Sequence, residues 1–114
     1  MPFLMIQTNV KVDPSRSAKL LRNASRHVAE TLGKSEKYVM VALEDETPML
    51  FGGKAEPLAY LELKSIGLPK DKTSQLSATL SGLLQEEIGV TADRVYIEFA
   101  DALAPMWGWN GATF

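Results

Sequence analysis

Pro2 is the residue with the clearest chemical potential, because it follows Met1 directly. Methionine aminopeptidases remove an initiator methionine when the next residue is small, and proline usually qualifies. Removal of Met1 would leave a secondary amine on a rigid ring at the start of the chain. An α-amino group has an unperturbed pKa of roughly 8, and burial or a nearby cation lowers that pKa. We therefore expect Pro2 to offer a general base near neutral pH.

The composition excludes several other kinds of site. The chain has 114 residues and no cysteine, which rules out disulfides, thiolate catalysis and cysteine-based metal sites. Its single histidine, His27, lies in a predicted helix and cannot form a metal site alone. We expect neither a metal nor a cofactor. The net charge of −2 is spread along the chain, which argues against nucleic acid or a membrane surface as a partner.

The first residues contain neither a basic segment nor a long apolar run. We therefore predict no signal peptide and no membrane span, and we expect a cytoplasmic protein. Hydrophobic residues make up 46% of the chain, which is enough for the core of one domain over residues 1–114.

The element that would position Pro2 is a predicted strand at residues 2–8, the first part of a β-α-β unit. Asp13-Pro14 is typical of a helix start, and Gly33 is typical of a helix end. Between them, one helical face carries Leu21, Ala24, Val28 and Leu32. A second strand is predicted at residues 38–43.

A second β-α-β unit follows the first. A strand is predicted at residues 58–66, with Leu61 and Leu63 on one face. The apolar stripe of the next helix consists of Leu76, Leu80, Leu83, Leu84 and Ile88, and this helix ends at Gly89. The last strand alternates, with Val95, Ile97 and Phe99 on one face and with Tyr96 and Glu98 on the other.

A constant shift of 56 positions relates the two units, because it carries Gly33 to Gly89 and Val41 to Ile97. Two such units in tandem predict an α+β fold, in which a four-stranded sheet has two helices on one face. Residues 3–6 and 39–42 are apolar on both faces, so the sheet needs a second cover. We expect another subunit to supply it. The alternative is that the tail at residues 102–114 folds over part of the face.

Several short segments, in order from end to end of the chain, resemble the macrophage migration inhibitory factor family of the tautomerase superfamily. They are Met1-Pro2, Thr8-Asn9-Val10, Leu32-Gly33-Lys34 with Tyr38, Phe51-Gly52-Gly53 followed by Glu56-Pro57, Ser65-Ile66-Gly67, Asp93-Arg94-Val95-Tyr96-Ile97, and Gly108-Trp109-Asn110 with Thr113-Phe114. The resemblance implies a homotrimer whose three sheets form a central barrel, with an active site at each subunit boundary.

The resemblance also implies roles for individual residues. Pro2 would be the catalytic base, while Lys34 and the backbone amide of Ile66 would receive the substrate's carboxylate or carbonyl oxygens. Tyr96 would come from the neighbouring subunit. A hydrophobic wall would consist of Tyr38, Trp109 and Phe114.

Four departures from the vertebrate cytokine bear on chemistry. No Cys-x-x-Cys motif follows Glu56-Pro57, so thiol oxidoreductase activity does not carry over. Glu98 replaces a pocket asparagine, and a carboxylate there would favour protonated Pro2 and repel anionic substrates. Lys64, which replaces a histidine, would offset that charge. Trp107 replaces a small aliphatic residue and would narrow the entrance.

The implied function is a cofactor-independent keto–enol tautomerase of low activity, acting on phenylpyruvate or a dopachrome-like compound. An alternative is a cytokine-like protein that binds a receptor and keeps a vestigial pocket. The family can leave cells without a signal peptide, so this alternative stays open. Dehalogenation or decarboxylation would require extra arginines near the pocket, whereas the arginines lie in or beside helices or at a strand start: Arg16, Arg22, Arg26 and Arg94.

Overall fold

Two β-α-β units build the structure, a computed structural model that describes all of residues 1–114. The first unit contains β1 (Phe3–Thr8), α1 (Pro14–Leu32) and β2 (Met40–Glu44). The second contains β3 (Ala59–Ile66), α2 (Thr73–Ile88) and β4 (Val95–Ala102). A short hairpin of β5 (Gly108–Trp109) and β6 (Ala112–Thr113) ends the chain.

The four long strands form one mixed sheet in the order β2-β1-β3-β4. Each unit contributes a parallel pair, and the antiparallel pairing of β1 with β3 joins the two units at the centre. Helices α1 and α2 pack against each other on one face. The predicted α+β fold, with four strands and two helices on one face, is confirmed. No helix is both long and apolar enough to cross a bilayer.

The helix boundaries follow the sequence signals. The carboxylate of Asp13 accepts a hydrogen bond from the Arg16 amide at 3.0 Å, and Pro14 occupies the first turn of α1. Gly33 and Gly89 end the two helices in the left-handed conformation, with φ of 63° and 72°. Short 3-10 turns follow at equivalent places, Glu36–Tyr38 and Ala92–Arg94. The repeat is therefore present in the structure as well as in the sequence.

The core lies between the helices and the sheet. The predicted stripe on α2 is buried throughout, and so are the inward-facing leucines of β3, Leu61 and Leu63. On α1, Ala24 and Val28 are completely buried, but Leu21 and Leu32 are only half-buried. Leu20, which the predicted stripe omits, is completely buried. Because α1 packs against both α2 and β2, its buried face is wider than one row of side chains.

Three predicted strands had wrong boundaries, and the first of them begins at Phe3 instead of residue 2. The strand predicted at residues 38–43 begins at Met40 and ends at Glu44, because the 3-10 turn after α1 continues through Tyr38. Pairing starts where the Met40 amide donates to the Pro2 carbonyl at 3.0 Å. The strand predicted from residue 58 begins at Ala59, because Leu58 is held by Asn9 and Thr8 side chains.

The sheet face opposite the helices is covered only at one end. There the C-terminal tail shares a cavity with Phe3 and Met40, which lie side by side in the β1–β2 register. At the other end Tyr96 remains 66% exposed. The tail therefore covers a part of the open face, as the alternative interpretation allowed, and leaves the rest uncovered within one chain.

Candidate active site

Pro2 lies immediately before the central strand β1 and is less than 2% exposed. It borders a cavity of about 240 Å³, the only one in the chain. The lining residues are Met1, Pro2, Phe3, Lys37, Tyr38, Val39, Met40, Trp107, Gly108, Trp109 and Phe114. The start of the chain, the turn after α1 and the C-terminal tail thus meet at one site.

One wall of the cavity is aromatic. The rings of Tyr38 and Trp109 meet edge to face, with centroids 5.7 Å apart at 88°. Trp109 and Phe114 stack at 5.7 Å and 16°. These contacts bring together the three residues of the predicted hydrophobic wall, and Trp107 lines the same cavity.

The hairpin that carries this wall turns at Asn110 and Gly111, with φ of 53° and 77°. A two-residue turn of this kind requires both residues to be left-handed, which Asn-Gly does readily. Gly108 pairs with Thr113 and Trp109 pairs with Ala112, so the turn sets the register of the aromatic side chains. The Asn-Gly pair was the sequence signal for this hairpin, which the sequence analysis did not predict.

Lys34 does not line the cavity, and it links the segment after α1 to β3. It follows the left-handed Gly33, and its ammonium group donates to the carbonyl oxygen of Ile66 at 2.7 Å. The α-amino group of Met1 lies beside it. Burial, followed by the charge and hydrogen bonding of Lys34, lowers the pKa of that α-amino group. An amine at this place is therefore neutral at a lower pH than one in solvent.

Tyr96 and Glu98 lie outside the cavity of their own chain. Tyr96 contacts Phe51, with ring centroids 4.7 Å apart. Glu98 and Glu62 are register partners on β4 and β3, and the Tyr60 hydroxyl lies 2.9 Å from Glu98 and 3.0 Å from Glu62. Lys64 lies 3.5 Å from Glu62, so its nearest ion-pair partner is not Glu98.

The sequence analysis did not name six of the lining residues as site residues: Met1, Phe3, Lys37, Val39, Met40 and Gly108. The strand register of β1 and β2 puts Phe3 and Met40 next to each other. Lys37 precedes Tyr38 in the 3-10 turn, and its ammonium lies 4.9 Å from the Tyr38 ring centroid.

No arginine lines the cavity, and two of the four, Arg16 and Arg94, hold backbone groups together. Arg16 donates two hydrogen bonds to the Glu87 carbonyl near the end of α2. Arg94 donates to four carbonyls of the loop before β3. Both arginines thus serve the connections between elements.

Comparisons with known proteins agree over the whole chain. A sequence profile described as macrophage migration inhibitory factor matches residues 1–114. A macrophage migration inhibitory factor homolog of Brugia malayi is 40% identical over 115 residues, which cover 100% of this chain and 99% of that protein. The macrophage migration inhibitory factor of Rattus norvegicus is 34% identical over 117 residues, with the same two coverages.

Solved structures agree as well. The crystal structure of a macrophage migration inhibitory factor homologue from Prochlorococcus marinus superposes with a TM-score of 0.93 at 43% identity, over 98% of each chain. The structure of the macrophage migration inhibitory factor of Toxoplasma gondii superposes with a TM-score of 0.93 at 32% identity, over 98% of this chain and 99% of the Toxoplasma gondii chain. By sequence along its whole length and by structure, the chain belongs to the macrophage migration inhibitory factor family.

Proposed function

We propose that the protein is a cofactor-independent keto–enol tautomerase acting on phenylpyruvate or dopachrome-like compounds, with Pro2 as general base once Met1 is removed. One observation carries this proposal: a buried amino-terminal proline borders an aromatic cavity, and Lys34 lies beside the chain's α-amino group. The same burial and the same cation would lower the pKa of the Pro2 amine. A neutral amine would then be available at physiological pH.

The reaction needs only one proton carrier. The Pro2 nitrogen removes a proton from the carbon next to the carbonyl, and that C–H electron pair forms the carbon–carbon double bond of the enolate. The ammonium form of Pro2 then returns the proton to the enolate oxygen, so no proton is consumed. Lys34 attracts the substrate's carboxylate and stabilises the developing negative charge. The ring of the substrate lies against Tyr38, Trp109 and Phe114.

We further propose a homotrimer in which the open sheet faces line a central barrel. The support is the partly apolar open face and the exposed Tyr96 ring, which another copy would cover. In this assembly Tyr96 and Glu98 reach the cavity of the neighbouring copy, and the Ile66 amide faces the substrate's oxygens. A monomer mass in sedimentation at micromolar concentration would contradict the assembly.

The experiment compares Pro2→Gly with Pro48→Gly, which changes an exposed loop proline that does not line the cavity. Pro2→Gly keeps an amino terminus but loses the secondary amine and the rigidity of the ring, so kcat/KM for phenylpyruvate should fall by about a hundredfold or more. Pro48→Gly should keep its activity. The intact mass of the active protein should lack Met1, and an active protein that retains Met1 would show that Pro2 is not the base.

A second candidate function is a cytokine-like protein that binds a receptor. Its support is the full-length similarity to the macrophage migration inhibitory factor of Rattus norvegicus. Receptor binding by an outer surface would survive Pro2→Gly, whereas tautomerase activity would not.

We propose a cytoplasmic location for the enzyme, which cell fractionation tests.

A further inference from the structure

Lys37 is the only charged side chain that lines the cavity. No acidic side chain joins it there, and the four ion pairs of the structure use other cations. Glu36 is adjacent in the chain but forms no ion pair with Lys37. Within one chain the positive charge at this place therefore has no ion-pair partner, and in the proposed trimer the Glu98 of the neighbouring copy lies near Pro2.

The aromatic wall holds Lys37 at the rim. Its ammonium lies 4.9 Å from the ring centroid of Tyr38, and the Tyr38 ring is itself fixed edge to face by Trp109. Lys37 is exposed, whereas Pro2, which lines the same cavity, is buried. The lining thus combines a buried amine, an aromatic wall and an exposed ammonium.

We propose that Lys37 is a specificity-determining residue that favours aryl keto acids carrying a second acidic group on the ring. The inference rests on the proposed function, in which the keto acid group of the substrate binds near Pro2 and Lys34. With that group inside and the ring against the aromatic wall, the far side of the ring points to the rim. A carboxylate there meets the uncompensated charge of Lys37.

The expected effect is small and electrostatic. An exposed lysine–carboxylate pair changes an affinity by about threefold, and salt screens it. The pair forms equally in the bound substrate and in the transition state, so it acts on Kd and KM and leaves kcat unchanged.

The cavity contains its own reporter, because the chain's two tryptophans, Trp107 and Trp109, both line it. Quenching of tryptophan fluorescence therefore measures binding without turnover. Suitable probes are phenylglyoxylate and its 3-carboxy and 4-carboxy derivatives. These keto acids have no hydrogen on the carbon next to the carbonyl and cannot enolise.

Three variants test the inference: Lys37→Gln, Lys37→Arg and the control Lys70→Gln, which removes an exposed lysine from the turn before α2. In Lys37→Gln, the Kd of at least one dicarboxylate should rise about threefold, while the Kd of phenylglyoxylate should change much less. Lys37→Arg should restore the affinity, and high salt should remove the difference between wild type and Lys37→Gln.

Three results would overturn the inference: unchanged dicarboxylate binding in Lys37→Gln, equal weakening of mono- and dicarboxylates, or the same selective loss in Lys70→Gln. Failure of the tautomerase proposal is detected separately, by an unchanged turnover in Pro2→Gly. Because the binding assay involves no turnover, the two failures are distinguishable.

Discussion

The ammonium group of Lys34 donates a hydrogen bond to the carbonyl oxygen of Ile66 at 2.7 Å, and this bond joins the connection between α1 and β2 in the first unit to the last residue of β3 in the second. The left-handed Gly33 ends α1 immediately before Lys34. A lysine ammonium has three donors, so one remains after the bond to Ile66 and the hydrogen bonding to the α-amino group. A fixed cation with a free donor beside the chain's α-amino group is suited to an anionic ligand.

Removal of the Lys34 charge should move the pH profile of tautomerisation. In Lys34→Gln the pKa of the catalytic amine should rise, so less neutral base is present at a given pH. The acid limb of the profile of kcat/KM should therefore shift to higher pH. Burial lowers the pKa of the amine more than Lys34 does, and burial remains in this variant. The acid limb should therefore move only part of the way toward its position for an amine in solvent. At neutral pH, kcat/KM should fall about 10- to 100-fold with the lost charged hydrogen bond.

Lys34→Arg is the matched control, because it keeps the charge and should keep the acid limb near its wild-type position. Rates for phenylpyruvate measured between pH 5 and 9, in steps of about half a unit around the pKa of an α-amino group, locate the limb. An acid limb that stays in place in Lys34→Gln would mean that Lys34 does not act on the base.

Arg94 should stabilise the loop at residues 51–57. Its guanidinium donates to the carbonyl oxygens of Phe51, Lys54, Glu56 and Pro57 at 3.0 to 3.2 Å. A lysine cannot reproduce this planar set of donors. Arg94→Lys should therefore lower the free energy of unfolding by about 2 kcal/mol.

Urea denaturation at one protomer concentration measures this loss, with Arg22→Lys on the exposed side of α1 as control. The control should leave the midpoint unchanged. Equal midpoints for the two variants would show that the four bonds add nothing to stability.

Gly111 should be required for the aromatic wall. At φ of 77°, alanine is strained, which should destabilise the hairpin by about 1 kcal/mol. Trp109 and Phe114 would then leave the cavity more often, so KM for phenylpyruvate should rise and tryptophan emission should shift.

The same replacement at Gly82 should do the opposite. Gly82 lies on an exposed part of α2 with open space around an added Cβ, so Gly82→Ala should stabilise the helix by about 0.8 kcal/mol and leave KM unchanged. An unchanged KM and an unchanged tryptophan emission in Gly111→Ala would show that the hairpin does not fix the positions of Trp109 and Phe114.

The fold could be predicted from the sequence because local signals repeat. Gly33 and Gly89 mark equivalent helix ends, and the alternation of Leu61 and Leu63 marks the buried side of β3. The site could be predicted only in part. Pro2 carries its own chemistry, but the roles of Lys34 and Tyr38 were inferred from the family resemblance.

The remaining site residues depend on geometry that no local pattern encodes. Lys37 enters the cavity through a 3-10 turn that the sequence analysis did not predict, and Met40 enters it through the register with Phe3. The hydrogen-bond partner of Glu98 depends on the parallel pairing of β3 with β4, because this pairing brings Tyr60 and Glu62 of β3 next to Glu98 of β4. Strand order and register arise from packing of the whole chain.

Glu98→Asn separates two roles of this carboxylate. Within its own chain, Glu98 accepts a hydrogen bond from the Tyr60 hydroxyl, and this bond is the main cause of the raised pKa of Tyr60. Loss of the carboxylate should therefore lower the pKa of Tyr60, so that this phenol ionises at a lower pH. Ultraviolet titration measures the change, and Tyr60→Phe identifies which of the three tyrosines is responsible.

In the proposed trimer the same carboxylate lies near Pro2 of the neighbouring copy, where it would stabilise the protonated amine and repel an anionic substrate. Glu98→Asn should then move the activity profile to lower pH by up to about one unit and improve kcat/KM for phenylpyruvate. Glu62→Gln is the control, because Glu62 also contacts Tyr60 and has no proposed role in catalysis. A shifted phenol titration with an unchanged activity profile in Glu98→Asn would mean that Glu98 acts only within its own chain.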